Sequence, residues 1–165
     1  MTAKPNGYVR IQGYTPGAVG RITEAHAVYY RKYWGFDVSF EAQVATELSA
    51  FVMDFDVESD GLWEAMINDH FAGAIAIAKT DNDEARLRWY IVMPLYQKMG
   101  IGQSLIQTAV AFSREKGYRR VYLWTFKGLD RARKLYEISG FTLSQEQVAQ
   151  QWGQRIEEQR FDLML

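Results

Sequence analysis

Arg86-Leu87-Arg88-Trp89-Tyr90-Ile91-Val92-Met93-Pro94, followed by Leu95-Tyr96-Gln97-Lys98-Met99-Gly100-Ile101-Gly102 and then Gln103 to Gly117, is the stretch that decides the fold. Its first part alternates. Leu87, Trp89 and Ile91 point one way, and Arg86, Arg88 and Tyr90 the other, the period of a half-buried strand. Pro94 cannot donate to a ladder, so the strand is predicted to stop there. The last part has a period of 3.6. Leu105, Ile106, Ala109, Val110 and Phe112 or Ser113 make one apolar face, and Gly117 stands where a helix-ending glycine belongs. Between strand and helix lies Gln97-x-x-Gly100-x-Gly102. Two glycines entering a helix leave backbone N–H groups open to an anion, and the helix dipole adds partial positive charge. The turn is a candidate phosphate cradle; a glycine turn that only packs tightly is the alternative. The P-loop pattern Gly-x-x-x-x-Gly-Lys-Ser/Thr is absent, and the dinucleotide fingerprint fails at Leu105.

Working outward, Tyr8 to Ile11 alternates as a first strand. Pro16 and Gly17 break it, and Ala18, Ile22, Ala25, Tyr29 and Tyr33 then recur at helical spacing up to Trp34-Gly35. Asp37 or Ser39 suits the cap of a second helix, with Phe40, Val44, Leu48, Phe51, Val52 and Phe55 as its stripe. The spans 62–67, 72–79 and 86–93 read as strands. Asn68-Asp69-His70 and Thr80-Asp81-Asn82-Asp83 supply turn chemistry, so these strands form an antiparallel meander. Val121 to Phe126 is an almost uninterrupted apolar strand, expected to be buried on both faces. The strand–helix–strand unit then requires a parallel, right-handed crossover. Asp130 to Ser139 reads as a last helix closed by Gly140. Phe141 opens a strand, Ser144 to Glu158 reads as a polar loop, and Arg160 to Leu165 closes the sheet. The predicted architecture is α/β, a twisted mixed sheet of six or seven strands with about four helices on both faces. The strands ending at Met93 and Phe126 are expected to part after Met93, where Pro94 stops pairing.

The 165 residues suit a single domain, 1–165, with a core of its own. A net charge of −1 gives no basic excess to draw the chain onto nucleic acid or an anionic membrane. Apolar runs fall short of a membrane span and no signal-like segment opens the chain, so a cytoplasmic, bacterial-type enzyme is the expectation. The absence of cysteine removes disulfides, thiolate metal sites and an acyl-cysteine intermediate. His26 and His70 are far apart, and no metal site is expected.

The Gln97-x-x-Gly100-x-Gly102 turn resembles motif A of the GNAT superfamily of N-acetyltransferases, Gln/Arg-x-x-Gly-x-Gly/Ala. Ala132-Arg133-Lys134-Leu135-Tyr136-Glu137-Ile138-Ser139-Gly140-Phe141 resembles the family's later Ala-x-x-Leu-Tyr-x-x-x-Gly-Phe. Pro16-Gly17, the Tyr30 to Phe36 run and Phe40-Glu41-Ala42 look like GNAT modules fused to MarR-type regulators. Here no winged helix precedes them, and a free-standing relative is expected. One departure stands out: family members often carry Asn three residues before the alanine, where this chain has Leu129, with Asp130 beside it.

The resemblance implies an N-acetyltransferase that moves an acetyl group from acetyl-CoA to a primary amine of a small molecule, peptide or protein by direct attack in a ternary complex. Lys98, Met99, Gly100, Ile101, Gly102, Gln103 and Ser104 would meet the pyrophosphate. Ile91, Val92 and Met93 would pair through their backbones with the pantetheine arm, and an N–H there would face the oxyanion. Arg133 belongs to six cations between Arg119 and Tyr136 that face the nucleotide phosphates or only solvent. Tyr136 is the candidate acid: a phenol near pKa 10 lies close to a thiol near 8.5. Glu41 and His26 are candidate bases, each with a structural alternative, and a water chain is a third route. Tyr29, Tyr30, Tyr33 and Trp34 either line an acceptor pocket or pack. A side chain at Gly102 is expected to block the pyrophosphate and spare the fold. Acetyl-CoA and an amine are the expected partners, without nucleic acid, membrane or metal, and with a homodimer allowed. The competing reading is a non-catalytic acyl-CoA-binding sensor or partner-binding module.

Overall fold

The computed structural model describes residues 6–81 and 83–165; Asn82 of the expected Thr80–Asp83 turn lies outside them. The elements in chain order are β1 (Val9–Gln12), α1 (Ala18–Trp34), α2 (Val38–Met53), β2 (Gly61–Ile67), β3 (His70–Asp81) and β4 (Glu84–Val92), then a 3₁₀ turn (Pro94–Tyr96), α3 (Ile101–Glu115), β5 (Arg120–Phe126), α4 (Asp130–Ile138), β6 (Thr142–Gln151) and β7 (Gln154–Met164). The strands form one seven-stranded sheet in the order β1-β2-β3-β4-β5-β7-β6. Every pairing is antiparallel except β4 with β5. The expected mixed sheet with helices on both faces is thus present. No helix among the described residues is long and apolar enough to cross a membrane.

Each face of the sheet carries its own core. On one, the apolar stripe of α3 (Ile101, Leu105, Ile106, Ala109) packs on Ile75, Leu87, Val121 and Leu123, and α4 adds Tyr136. On the other, Ile22 of α1 and Phe40, Val44 and Leu48 of α2 pack on Ala74, Ala76, Trp89 and Phe126. Burying such stripes is the chief reason these segments hold their helical form. Asp37 caps α2 by accepting the Ser39 N–H at 2.9 Å. That helix ends at Met53, so Phe55 drops out of its predicted stripe and is 38% exposed.

Four expectations are corrected. First, the alternation of β4 breaks. Trp89 has φ 47°, and the register against β3 slips between Ala74 and Ala76. One extra residue in a strand reverses every later side chain. Leu87 therefore packs on the α3 face, Trp89 on the α1–α2 face, and Tyr90 and Val92 on the α3 face.

Second, β4 and β5 pair only at Glu84–Arg120, Ala85–Val121 and Arg86–Tyr122. They part after Arg86, well before Pro94. The bulge bends β4 away, while β5 stays paired with β7 from Arg120 to Phe126.

Third, Ser144–Glu158 is no loop. It forms most of a β6–β7 hairpin, turned at Trp152 (φ 54°) and Gly153 (φ 77°). Two consecutive left-handed residues are what a two-residue hairpin turn needs. Fourth, β5 is not buried on both faces. Val121 and Leu123 are buried, but Tyr122, Trp124 and Thr125 are only half-buried, because the parting strands leave them an open side.

Candidate active site

Where β4 and β5 diverge, a cleft of about 1020 Å³ opens between them. Among the described residues, the β4 edge facing β5 has no ladder partner beyond Arg86, and neither does the facing edge of β5 beyond Tyr122. Backbone N–H and C=O groups left unpaired at such edges are a standing template for an extended ligand. Ile91 and Val92 line this cleft; Met93 follows at the strand end, with its N–H already bonded to Ala72 O at 2.8 Å.

The glycine turn closes one end. Ser104 N donates to Gly100 O at 3.0 Å, the first backward bond of α3. The N–H groups of Ile101, Gly102 and Gln103 precede it and have no acceptor within the helix. Lys98 (φ 64°) and Gly100 (φ 81°) are left-handed, which gathers successive N–H groups into a concave nest. Gln97 ties this turn down. Its Nε2 donates to Val92 O at 3.2 Å, and its Oε1 accepts from Arg131 Nη1 at 2.7 Å.

Ile101 itself is a core residue, 1% exposed, so only its backbone is available to a ligand. Gly102 proves to be a packing requirement. A Cβ there would collide with the Tyr90 hydroxyl and lie 3.1 Å from Leu135 Cδ1. A side chain at that position therefore requires the ends of Tyr90 and Leu135 to shift, so its effect is not confined to an anion.

Tyr136 lines the cleft from α4 and is 5% exposed. Its ring packs against Tyr90 at 5.7 Å, Phe141 at 6.0 Å and Phe161 at 6.1 Å. Burial pushes its pKa well above 10, with Tyr90 and Tyr30 adding to the rise. The small gap between phenol and thiol assumed from the sequence is therefore not the right comparison. The hydroxyl stays protonated at any working pH and remains a hydrogen-bond donor. A thiolate in the same desolvated cleft also becomes more basic.

His26 also borders the cleft. Its Nδ1 lies 2.8 Å from Ile22 O and must carry the proton to bond that carbonyl. Burial lowers its pKa to about 4 despite this bond, so it is neutral and weakly basic at pH 7. Glu41 is not brought to the cleft. It is exposed on α2 beside a separate, smaller hollow with Ala27, Arg31 and Val38. Arg133 is also turned elsewhere. It bonds Glu137 at 2.9 Å and lies over the Phe161 ring. Leu129 and Asp130 both line the cleft at the start of α4.

Several lining residues were not anticipated. Glu47 of α2 pairs with Arg88, whose guanidinium lies over the Trp89 ring at 4.2 Å. Gln147, Gln151 and Glu158 come from the hairpin, with Glu158 accepting from both glutamines at 2.6 and 2.5 Å. Trp152 Nε1 donates to Gln43 at 2.8 Å and fastens the hairpin to α2. Alternation at the end of β7, with Phe161 and Leu163 buried, was the available signal for this wall, while β6 is polar almost throughout and carries none. Tyr29, Tyr30, Tyr33 and Trp34 also line the cleft, with Tyr30 and Trp34 packed into the second core as well.

A sheet parted at this point, with a glycine turn opening a helix at the mouth, defines a recognisable class. The chain belongs to the acetyltransferase (GNAT) family, which it matches over residues 21–141. It is 33% identical over 93 residues to the probable N-acetyltransferase camello of Xenopus tropicalis, a match covering 55% of this chain and 42% of that protein. The matched stretch thus spans less than half the length of that relative. Among solved structures, a GNAT-family acetyltransferase from Staphylococcus aureus superposes with a TM-score of 0.77 at 16% identity, covering 96% of this chain and 99% of that one. A putative acetyltransferase from Salmonella typhimurium, solved with its cofactor acetyl-CoA, superposes with a TM-score of 0.75 at 14% identity, covering 96% and 94%. At these identities the two structures speak for the fold alone.

Proposed function

We propose that this protein is an N-acetyltransferase that passes an acetyl group from acetyl-CoA directly to an amine, with both substrates bound together. The observation that carries the reading is the parting of β4 from β5, which leaves two unpaired strand edges leading to the glycine turn. In this reading the N–H groups from Gly100 to Gln103, with the turn residues Lys98 and Met99, meet the pyrophosphate. Ser104 borders the same helix start. The β4 edge at Ile91 and Val92 takes the pantetheine amides, and a backbone N–H on that edge faces the carbonyl oxygen as negative charge develops.

Tyr136 is the donor to the departing sulfur. The amine arrives from the side formed by α1, α2 and the hairpin. Neither Glu41, outside the cleft, nor His26, with its low basicity, suits the general base. Water held against the open carbonyls of β4 is the assignment we favour. The chain has no cysteine to carry an acyl group, which supports direct transfer.

A second reading, a non-catalytic acyl-CoA-binding module, has Leu129 in its favour, since that cleft position offers no polar group. The two separate in an assay of CoA release from acetyl-CoA with a panel of amines. The enzyme reading expects release that depends on the amine. Tight acetyl-CoA binding without release would favour the module, and no binding would refute both.

A further inference from the structure

The acceptor half of the cleft contains an arginine with an unsatisfied donor. Arg86 lies at the last parallel pair of β4 and β5, and it lines the cleft. The residue is half-buried, and its Nε is buried with no hydrogen-bond partner among the described residues. The carboxylates near enough to influence it, Glu47 and Glu158, are already engaged. Glu47 pairs with Arg88, and Glu158 accepts from Gln147 and Gln151. Desolvation and the positive charge of Arg88 together work against Arg86 holding its own charge. A buried guanidinium Nε without an acceptor is costly, and the cost is relieved when an anion reaches it. Arginine's planar fork matches a carboxylate with two parallel bonds.

We propose that Arg86 receives a carboxylate carried by the acceptor, so that the acetylated amine belongs to an amino acid. This deepens the acetyltransferase reading and rests on it. Phe40, Trp89, Trp124 and Trp152 give the same side of the cleft aromatic walls. They suit an apolar side chain between the carboxylate and the open solvent.

The test compares each amino acid with its own carboxamide, which keeps the side chain and loses the carboxylate charge; because the amide's amine is also less basic, rates are compared at equal concentrations of unprotonated amine. Wild-type protein should favour the acid over the amide by roughly 10²-fold in kcat/KM, the scale of losing one partner of a buried charge pair. In Arg86→Gln that ratio should collapse towards one, and in Arg86→Lys it should recover in part. Because Arg86→Gln removes a half-buried side chain whose Nε is unsatisfied, its thermal midpoint should not fall, so loss of fold does not account for the result. Equal use of acids and amides by the wild type, or an unchanged ratio in Arg86→Gln, would overturn the proposal. If no amine supports turnover, the acetyltransferase reading fails on its own. Calorimetric titration with N-acetyl amino acids and N-acetyl amino acid amides then decides the role of Arg86. Binding of the acids alone, lost in Arg86→Gln, upholds it, and no such difference refutes it.

Discussion

His26 and Tyr136 are both buried in the cleft wall, and burial acts on them in opposite ways. His26 has a folded-state pKa of about 4 against 6.5 when unfolded. Between those values the unfolded chain binds a proton that the folded chain does not. The stability this residue allows is therefore complete above pH 6.5 and is lost as pH falls towards 4. From pH 7.5 to pH 5 the loss should be about 2 kcal/mol. Denaturant midpoints at the two pH values will show it, and His26→Leu should show a loss smaller by that amount. An identical pH dependence in the variant would mean that His26 is accessible to protons when folded. Burial keeps the Tyr136 proton in place instead. If its hydroxyl serves the leaving sulfur, Tyr136→Phe should lower kcat by roughly 10²–10⁴-fold with little change in acetyl-CoA affinity. An unchanged kcat, with chemistry rate-limiting, would leave Tyr136 as a packing residue.

At the scale of elements, the glycine turn and the bulge decide what the site can be. Gly102 lets α3 approach Tyr90 and Leu135, so Gly102→Val should cost about 1–3 kcal/mol through overpacking. An unfolding midpoint equal to wild type would show that Tyr90 swings aside freely. The strands of the meander, the four helices and the glycine turn were legible from periodicity and from capping residues such as Asp37. Trp89 was not. A bulge leaves no mark in a run of apolar and aromatic residues, and a bulky side chain at positive φ is a rare conformation. Misreading that residue also misplaced the parting of the strands, which was credited to Pro94. The β6–β7 hairpin was hidden by its glutamines, because a strand exposed on its outer face lacks the apolar period that signals one. With the hairpin unread, Gln147, Gln151 and Glu158 could not be assigned to the cleft. Lys98, Gly102 and Tyr136, singled out through family resemblance, line the cleft, whereas Glu41 and Arg133 lie away from it.

Across the whole molecule, a partly buried ion pair fastens the entrance of α1 to the sheet. Glu64 of β2 has no solvent exposure, and it accepts from Arg21 Nε at 2.9 Å, Arg21 Nη2 at 3.1 Å and Thr15 Oγ1 at 3.0 Å. Arg21→Leu would leave that carboxylate without its cation. It should cost about 1–3 kcal/mol, because the Arg21 side of the pair is partly open to solvent, read as a fall in the urea midpoint at unchanged slope. A loss below about 1 kcal/mol would mean that water replaces the guanidinium. This pair helps to hold α1, and with it Tyr29 and Tyr33, against a sheet that is open between β4 and β5. The central claim is that this opening holds acetyl-CoA with its thioester beside the acceptor. A crystal structure of the protein with acetyl-CoA tests it most directly. The account predicts the pyrophosphate on the N–H groups from Gly100 to Gln103, the pantetheine arm along the β4 edge, and the sulfur within hydrogen-bond reach of the Tyr136 hydroxyl. Acetyl-CoA bound elsewhere, or lying in the opening with its thioester away from both Tyr136 and the side bearing Arg86, would contradict it.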